Sequence, residues 1–217
     1  MNILFLIACL VGGYLLGSLN ASIIFSRARG NDIRKQGSKN AGLTNALRVF
    51  GKKAAIFVFV FDLLKAIASV LLAQEVGKAC FVENKELIQI GKYLASFAVV
   101  LGHNFPLYFK FKGGKGILAS WGVIMVLDWR IALLLIVVFL LVVLATRYVS
   151  LASITSSILY PVFVVALNIG NPTSTTSIYI ILSILMALLA VYRHRANISR
   201  LRAGTEPLLG AKKEKEE

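Results

Sequence analysis

Residues 131–146 read IALLLIVVFLLVVLAT, an unbroken apolar stretch without charge, proline or glycine. As a helix it would be about 24 Å long at about 1.5 Å per residue, which approaches the ~30 Å apolar core of a bilayer. Similar stretches recur along the 217 residues, of which 58% are hydrophobic and 16% are charged. Soluble domains carry about 25% charged residues. The composition therefore predicts a polytopic membrane protein.

Seven apolar stretches are candidates for membrane-crossing helices, and the sequence predicts an all-α fold with seven transmembrane helices. The fourth is the weakest, because twelve residues of helix extend only about 18 Å. The seven stretches are residues 3–25, 54–73, 88–109, 116–127, 131–146, 150–169 and 177–192.

Lysine and arginine are concentrated in alternate connections. Residues 26–53 carry eight of them, residues 110–115 carry three, and residues 193–217 carry seven. The positive-inside rule places such segments in the cytoplasm. The N-terminus is then outside and the C-terminus cytoplasmic. Because residues 110–115 and the C-terminal segment are both basic, the number of crossings between them must be even, so the short stretch 116–127 counts as a tilted or bilayer-thinning span.

The same pattern sets the expected organisation. Residues 1–206 are predicted to form one seven-span domain, and residues 207–217 a charged, disordered cytoplasmic tail. No basic n-region precedes the first apolar stretch, so it is interpreted as a retained span. The net charge of +14 indicates contact with anionic membrane lipids and not with nucleic acid. Cys9 and Cys80 have no disulfide-framework or metal-site spacing, so no metal is expected.

Four polar segments interrupt the apolar pattern, and the predicted topology places all four at the cytoplasmic face. Their meeting there is the strongest functional indication in the residues themselves. They are residues 37–48 (GSKNAGLTNALR), 110–116 (KFKGGKG), 147–153 (RYVSLAS) and 193–206 (RHRANISRLRAGTE).

Each polar segment has a chemical interpretation and a plainer alternative. Glycines with hydroxyl, amide and guanidinium groups in residues 37–48 suit a phosphate cradle. The glycines and Lys115 before the fourth span suit an anion site at a helix N-terminus, although the spacing is not that of a Walker A loop. Ser150 is an exposed ligand candidate or a cap of the sixth helix. The alternatives are ordinary basic loops and a segment that touches anionic lipid.

Ionisable residues also occur within or near predicted spans. Asp62 and Lys65 are three residues apart, and a structural ion pair is the first expectation for them. His103 is expected to pack or to form hydrogen bonds. On a helical continuation of the last span, His194 and Asn197 would share a face, and the histidine is either a general base or a positioning residue.

Taken together, the four segments resemble those of the bacterial acyl-phosphate-dependent glycerol-3-phosphate acyltransferases, the PlsY type. The matching stretches are GSLNASIIFSRARGNDIRKQGSKNAGLTNALRVFGKK, GHNFPLYFKFKGGKG, RYVSLASI and YRHRANISRLRAGTE. They run from about residue 17 to residue 206. The resemblance implies transfer of a fatty acyl group from acyl phosphate to sn-glycerol 3-phosphate, giving 1-acyl-sn-glycerol 3-phosphate and phosphate in the first acylation of phospholipid synthesis.

The resemblance also implies roles for residues at matching positions. Catalytic roles fall on Ser38, Arg48, His194 and Asn197, and a structural role that holds the C-terminal segment falls on Glu206. Substrate phosphate binding falls on Asn40, Thr44, Asn45, Gly113, Gly114, Lys115, Gly116, Ser150 and Ser153. The implied enzyme has no cofactor and is a monomer in the bacterial cytoplasmic (inner) membrane, with its active site facing the cytoplasm.

The chain departs from the family pattern at several positions. Lys39 and Leu43 replace a glycine and an alanine, and Asn20 stands where many members have proline. These changes bear on loop conformation more than on the reaction.

Two rival functions are a transporter or flippase for a phosphorylated solute and a non-catalytic scaffold for anionic lipid. Transporter sites are usually near the bilayer midplane in repeated elements, whereas these polar residues are at one surface.

Overall fold

The computed structural model describes residues 1–210, and within them the fold is all-α. Of the predicted tail, residues 207–217, the structure describes residues 207–210 only. Two short 3-10 turns, Ile33–Lys35 and Leu107–Phe109, accompany the α-helices. The helices are α1 Asn2–Gly17, α2 Ala21–Arg27, α3 Leu43–Phe50, α4 Lys52–Cys80, α5 Lys85–Asn104, α6 Ile117–Leu127, α7 Trp129–Thr146, α8 Val149–Asn168, α9 Thr176–Arg193 and α10 Arg195–Arg202.

Five segments in the described part of the chain are long and apolar enough to cross a membrane. They are α1 with α2 taken together, α4, α7, α8 and α9. Helix α5 is as long as α8 but carries three charged residues, and α6 is an apolar helix of only 11 residues. Large apolar side chains point outward, as Leu144 does with 77% of its surface exposed. Such a surface suits lipid and identifies an integral membrane protein.

The first predicted span is broken. Helix α1 ends at Gly17, and Asn20 caps the start of α2 by accepting a hydrogen bond from the Ile23 amide at 3.1 Å. Asn20 thus occupies the N-cap position, which asparagine favours. The hydropathy of residues 3–25 is continuous across this break, which is why hydropathy alone could not locate it.

The second predicted span is longer than residues 54–73. Helix α4 continues to Cys80, through part of a stretch that was predicted to be an outer loop. Residues Gln74, Glu75 and Lys78 end the apolar pattern but form helix well. Glu75 and Lys78 pair at 2.8 Å on the exposed face. Polarity marks the end of the apolar stretch there and not the end of the helix.

The bundle is closely packed where the broken first span meets α5. A side chain added at Gly102 would come within 2.9 Å of the Ser18 amide nitrogen. Small residues permit such close helix contacts in membranes. A hydrophobic core is formed by the six helices from α4 to α9, and Val99, Val123 and Val164 are fully buried in it.

The expected ion pair in α4 is confirmed. Lys65 Nζ lies 2.7 Å from Asp62 Oδ1, and both side chains are almost completely buried. His103 joins them, with its Nδ1 3.2 Å from Lys65 Nζ, which confirms the hydrogen-bonding role expected for it.

Candidate active site

A cavity of about 390 Å³ joins the four polar segments at one end of the bundle. The structure therefore brings together side chains that are up to 168 positions apart in the chain. Of the residues to which the sequence assigned catalytic, phosphate-binding or structural roles in the site, those that line the cavity are Ser38, Asn40, Thr44, Asn45, Arg48, Lys115, Gly116, Ser150, Ser153, His194, Asn197 and Glu206.

Residues 37–45, here called the Ser38 turn, are folded around the buried side-chain amide of Asn45. Asn45 Oδ1 accepts a hydrogen bond from the Ser38 amide at 2.9 Å, and Asn45 Nδ2 donates to the Gln36 and Asn40 carbonyls at 3.0 Å each. Asn45 is only 1% exposed. It shapes the turn, and the Ser38 hydroxyl is left on the more exposed part of it.

Lys39, which replaces a glycine of the family pattern, adopts a backbone conformation that favours glycine. Its φ of 57° lies in the left-handed region, which glycine adopts freely and which costs other residues about 1 kcal/mol or more. The Lys39 side chain is exposed. The turn keeps the conformation of a glycine position and carries a lysine in it.

Residues 110–116, here called the glycine loop, approach neighbouring backbone closely. The amides of Gly113 and Gly114 donate to the carbonyls of Asn104 and His103 at 3.2 and 3.1 Å. A side chain at Gly114 would collide with the Ala41 carbonyl of the Ser38 turn. Neither glycine lines the cavity. Their amide groups hold the loop in place, and Lys115 with the start of α6 faces the cavity.

Arg193 braces the site, although it was not among the site residues predicted from the sequence. Its Nε donates to the Gly114 carbonyl at 3.0 Å, and its Nη2 donates to the Gly113 carbonyl at 3.0 Å. These bonds pin the glycine loop to the end of α9. In the sequence, Arg193 is one member of a basic run next to a span, which is equally typical of a lipid-contacting segment.

A hydrogen-bonded chain crosses the polar end of the cavity. Lys115 Nζ donates to Asn197 Oδ1 at 2.5 Å, Asn197 Nδ2 donates to Glu206 Oε1 at 2.6 Å, and Arg200 Nε donates to Glu206 Oε2 at 2.7 Å. Glu206 thus fastens the segment after α10 to the cavity wall. The structural role of Glu206 stays a prediction, and this contact is the one through which it would act.

The charges around this chain favour an anion. Burial lowers the pKa of Lys115 to about 8, and the nearby Arg200, Arg193 and Arg48 add to that effect against the attraction of Glu206. Burial alone would raise the pKa of Glu206, but Ser150, Asn197 and Arg200 around it outweigh that effect and lower it. One carboxylate thus faces several cations. A phosphate that entered beside Lys115 would offset the excess positive charge.

His194 occupies a break between α9 and α10, so the predicted continuous helix is wrong at this residue. Its Nδ1 lies 2.7 Å from the Ala190 carbonyl. A carbonyl only accepts, so Nδ1 carries the proton and Nε2 is an acceptor. Burial, followed by the charge of Lys115, lowers the pKa of His194 to about 4. The ring is therefore neutral at physiological pH.

Of the two predicted roles of Ser150, the helix cap is wrong, and ligand contact stays a prediction. Ser150 is the second residue of α8, whose N-cap is Tyr148. Ser150 and Ser153 are both buried, at 6% and 4% exposure. The Ser153 hydroxyl donates to the Val149 carbonyl at 2.8 Å, whereas the Ser150 hydroxyl has no aligned partner within residues 1–210. The Ser150 hydroxyl is close enough to Glu206 to lower the pKa of that carboxyl, but without an aligned hydrogen bond it is a group that a substrate can satisfy.

The inner end of the cavity is apolar. Helices α6 to α9 contribute Ile124, Leu135, Phe139, Tyr160 and Met186. Ser150 and Tyr160 are ten residues apart on α8, which corresponds to about 15 Å along the helix, half of the ~30 Å apolar core. The cavity therefore has a cationic, amide-rich outer part and an apolar inner part about one leaflet deep. Within residues 1–210, no three His, Cys, Asp or Glu side chains are grouped in a way that could hold a metal ion.

These features define a helical integral membrane protein in which one cavity combines a cationic end with an apolar end. The profile of the glycerol-3-phosphate acyltransferase family matches residues 7–204. The chain belongs to this family.

Individual relatives agree over nearly the whole chain. The glycerol-3-phosphate acyltransferase of Thermoanaerobacter sp. (strain X514) is 43% identical over 202 residues, which cover 93% of this chain and 94% of the relative. That of Clostridioides difficile (strain 630) is 38% identical over 215 residues, covering 99% and 100%.

Solved structures of PlsY, an integral membrane glycerol 3-phosphate acyltransferase, have the same fold. Its glycerol 3-phosphate form has a TM-score of 0.79 and 34% identity, covering 94% of this chain and 96% of that one. Its lysophosphatidic acid form has a TM-score of 0.77 and 33% identity, covering 94% and 95%.

Proposed function

We propose that the chain transfers a fatty acyl group from acyl phosphate to sn-glycerol 3-phosphate, giving 1-acyl-sn-glycerol 3-phosphate and inorganic phosphate. One observation carries the proposal: a single cavity has a cationic, amide-rich end and an apolar end of leaflet depth. The cationic end suits the phosphate groups, and the apolar end suits the acyl chain. The substrate-bound and product-bound forms of the related PlsY support the acceptor and the product.

The phosphate groups are assigned to the two loops. Ser38, Asn40, Thr44 and Arg48 line the cavity on the side of the Ser38 turn, and Lys115 and Gly116 line it on the side of the glycine loop. We assign the phosphate of the acyl donor to the glycine loop, because Lys115 and the first residues of α6 line the cavity and a helix N-terminus favours an anion. Ser150 and Ser153 line the same cavity. Asn45, Gly113 and Gly114 serve this function by shaping the two loops.

The reaction needs positioning and charge stabilisation more than an acid–base pair. An acyl phosphate is already activated, so the attacking hydroxyl oxygen forms a bond to the acyl carbon while the bond from that carbon to the phosphate oxygen breaks. Lys115 and Arg48 offset the charge on the departing phosphate, which takes the proton. Neutral His194 accepts a hydrogen bond from the hydroxyl through Nε2 and positions it. No acyl-enzyme forms, and a burst of acylation at Ser38 would contradict this route.

The proposal includes a membrane arrangement. Helices α1, α4, α5, α6, α7, α8 and α9 cross the membrane as seven spans, with the N-terminus outside and the C-terminus in the cytoplasm. The uneven distribution of Lys and Arg supports this orientation. Residues 1–206 form the catalytic domain and residues 207–217 the tail, in a monomer in the bacterial cytoplasmic membrane with the cavity facing the cytoplasm.

The decisive assay incubates the purified protein with acyl phosphate and glycerol 3-phosphate and measures lysophosphatidate. Acyl-CoA and acyl carrier protein replace the donor in parallel reactions. The proposal predicts product with acyl phosphate alone, and product loss in S38A, R48A and H194A proteins that keep the wild-type melting temperature. Transport of a phosphorylated solute into vesicles without acylated product would support the transporter alternative instead.

A further inference from the structure

Lys65 is a buried ammonium at the break in the first span. Its Nζ donates to the Leu19 carbonyl at 2.6 Å and to the Gly17 carbonyl at 3.1 Å. Helix α1 ends at Gly17, so these carbonyls lack the partners that a continuing helix would provide. A cation is the favoured group at such a helix end. Lys65 thus fixes the break from a neighbouring helix, in addition to its pairing with Asp62.

The break has a direct connection to the Ser38 turn. Asn20, the first residue after it, donates from Nδ2 to the Ala41 carbonyl at 3.4 Å. Asn20 is completely buried, so its position follows that of the backbone on either side. Through these contacts, a shift of the Gly17–Asn20 backbone would move the Ser38 turn.

A second connection leads to the glycine loop. Lys65 Nζ contacts His103 Nδ1 at 3.2 Å, and the Gly114 amide donates to the His103 carbonyl at 3.1 Å. A side chain at Gly114 would touch both His103 Nε2 and the Ala41 carbonyl. The two connections from Lys65 therefore end at the same point, where the two loops meet. Asp62 and His103 also line the cavity.

Stability alone does not account for this arrangement. Buried ion pairs are often replaced by apolar residues without loss of stability, and ionisable groups inside membranes are usually functional. We propose that Lys65 is a positioning residue of the acyltransferase reaction. It sets the distance between the two phosphate-binding loops through the Gly17 and Leu19 carbonyls and through His103. This inference rests on the proposed function.

The test compares the D62N variant with the neutral double variant D62N/K65M. K65M alone is not used, because it would leave Asp62 charged and unpaired. The double variant removes both charges and is expected to melt within a few degrees of wild type. Its kcat is nevertheless expected to fall about 100-fold, because small displacements of reacting groups have effects of that size. D62N, which keeps Lys65 on both carbonyls, is expected to stay within about tenfold of wild type.

A rescue variant and a control complete the experiment. D62N/K65Q restores amide donors toward the carbonyls, so its kcat is expected between those of D62N and D62N/K65M. Lys92, a half-buried lysine on α5 that does not line the cavity, supplies the control, and K92M is expected to turn over like wild type.

Two results would overturn the positioning role. One is a stable D62N/K65M protein with wild-type kcat. The other is a D62N protein that loses as much kcat as the double variant. If D62N/K65M does not fold, D62N/K65Q is compared with D62N at equal melting temperature, where a reduced kcat supports the role and an equal kcat overturns it. A wild-type protein that makes no product would instead refute the proposed function itself.

Discussion

Lys115 shows at the scale of one residue how burial prepares a group for an anion. Burial destabilises the positively charged form of its amine, and within residues 1–210 the carboxylate that favours this form is that of Glu206, reached through Asn197. A phosphate dianion at this place would stabilise the ammonium and be stabilised by it. The residue type and its place before a helix were evident in the sequence, but the burial and the relay to Glu206 depend on α10, 80 residues further on.

The pKa of about 8 for Lys115 leads to a pH prediction. The protonated amine binds phosphate, so kcat/KM for the substrates should fall as the pH rises through about 8. In the K115R variant the guanidinium stays charged, so this fall should disappear up to pH 10. A pH profile of kcat/KM checks this, since it reports groups of the free enzyme. Profiles of the same shape in both proteins would exclude Lys115 as the titrating group.

Asn45 supports a second prediction at this scale. N45D keeps the acceptor for the Ser38 amide but removes the N–H donors to three carbonyls, and it directs a negative charge at them. Turnover should fall about 100-fold through the misplaced Ser38 turn, and the melting temperature should fall as well. The matched control is N171D, at an exposed position between α8 and α9. Turnover of N45D within threefold of wild type would refute the bracing role.

At the scale of elements, the site depends on two backbone segments that touch. The Ser38 turn and the glycine loop meet at the Ala41 carbonyl and Gly114, and Arg193 at the end of α9 holds the second of them. Glycine is needed at position 114 because the Ala41 carbonyl leaves no room for a side chain. The Gly114 amide is not free for a ligand, because it already donates to the His103 carbonyl. The sequence suggested a different reason, namely free amides for phosphate.

G114A should therefore lose turnover by at least 100-fold and melt at a lower temperature, because its methyl group meets backbone that has no room to move. G12A is the matched control. An added Cβ at Gly12, in α1, meets no described atom within 4 Å, so stability should be unchanged or slightly higher. Activity assays and melting curves of both variants check this. A G114A protein as active as G12A would show that the two loops need not touch.

How much of an element the sequence predicts depends on what ends it. The predicted stretch 131–146 ends where α7 ends, at Thr146, and the predicted stretch 150–169 begins one residue after the start of α8 at Val149. At these two points the hydropathy and the helix change together. The break at Ser18–Asn20 was missed, because it is stabilised by Lys65 from another helix. The extension of α4 to Cys80 was missed for the opposite reason. There the apolar stretch ends at residue 73, but the helix continues through polar residues.

At the scale of the whole molecule, the meeting of four polar segments was predicted and is confirmed by the cavity. Counting basic residues was sufficient for this, because topology fixes which loops share a membrane face. A structural ion pair was the first expectation for Asp62 and Lys65, and packing or hydrogen bonding was expected for His103. The connections of this buried group to both loops depend on tertiary contacts that no local pattern contains.

The central claim is that both phosphate-binding loops open to the cytoplasm from one seven-span bundle. Single cysteines in a background lacking Cys9 and Cys80 test it through labelling of intact cells with a membrane-impermeant maleimide. The exposed positions Lys39, Lys112 and Glu83 represent the Ser38 turn, the glycine loop and the α4–α5 connection. We predict that K39C and K112C label only after the membrane is opened, whereas E83C labels in intact cells. Labelling of K39C and K112C from opposite sides would contradict the shared cavity and the function built on it.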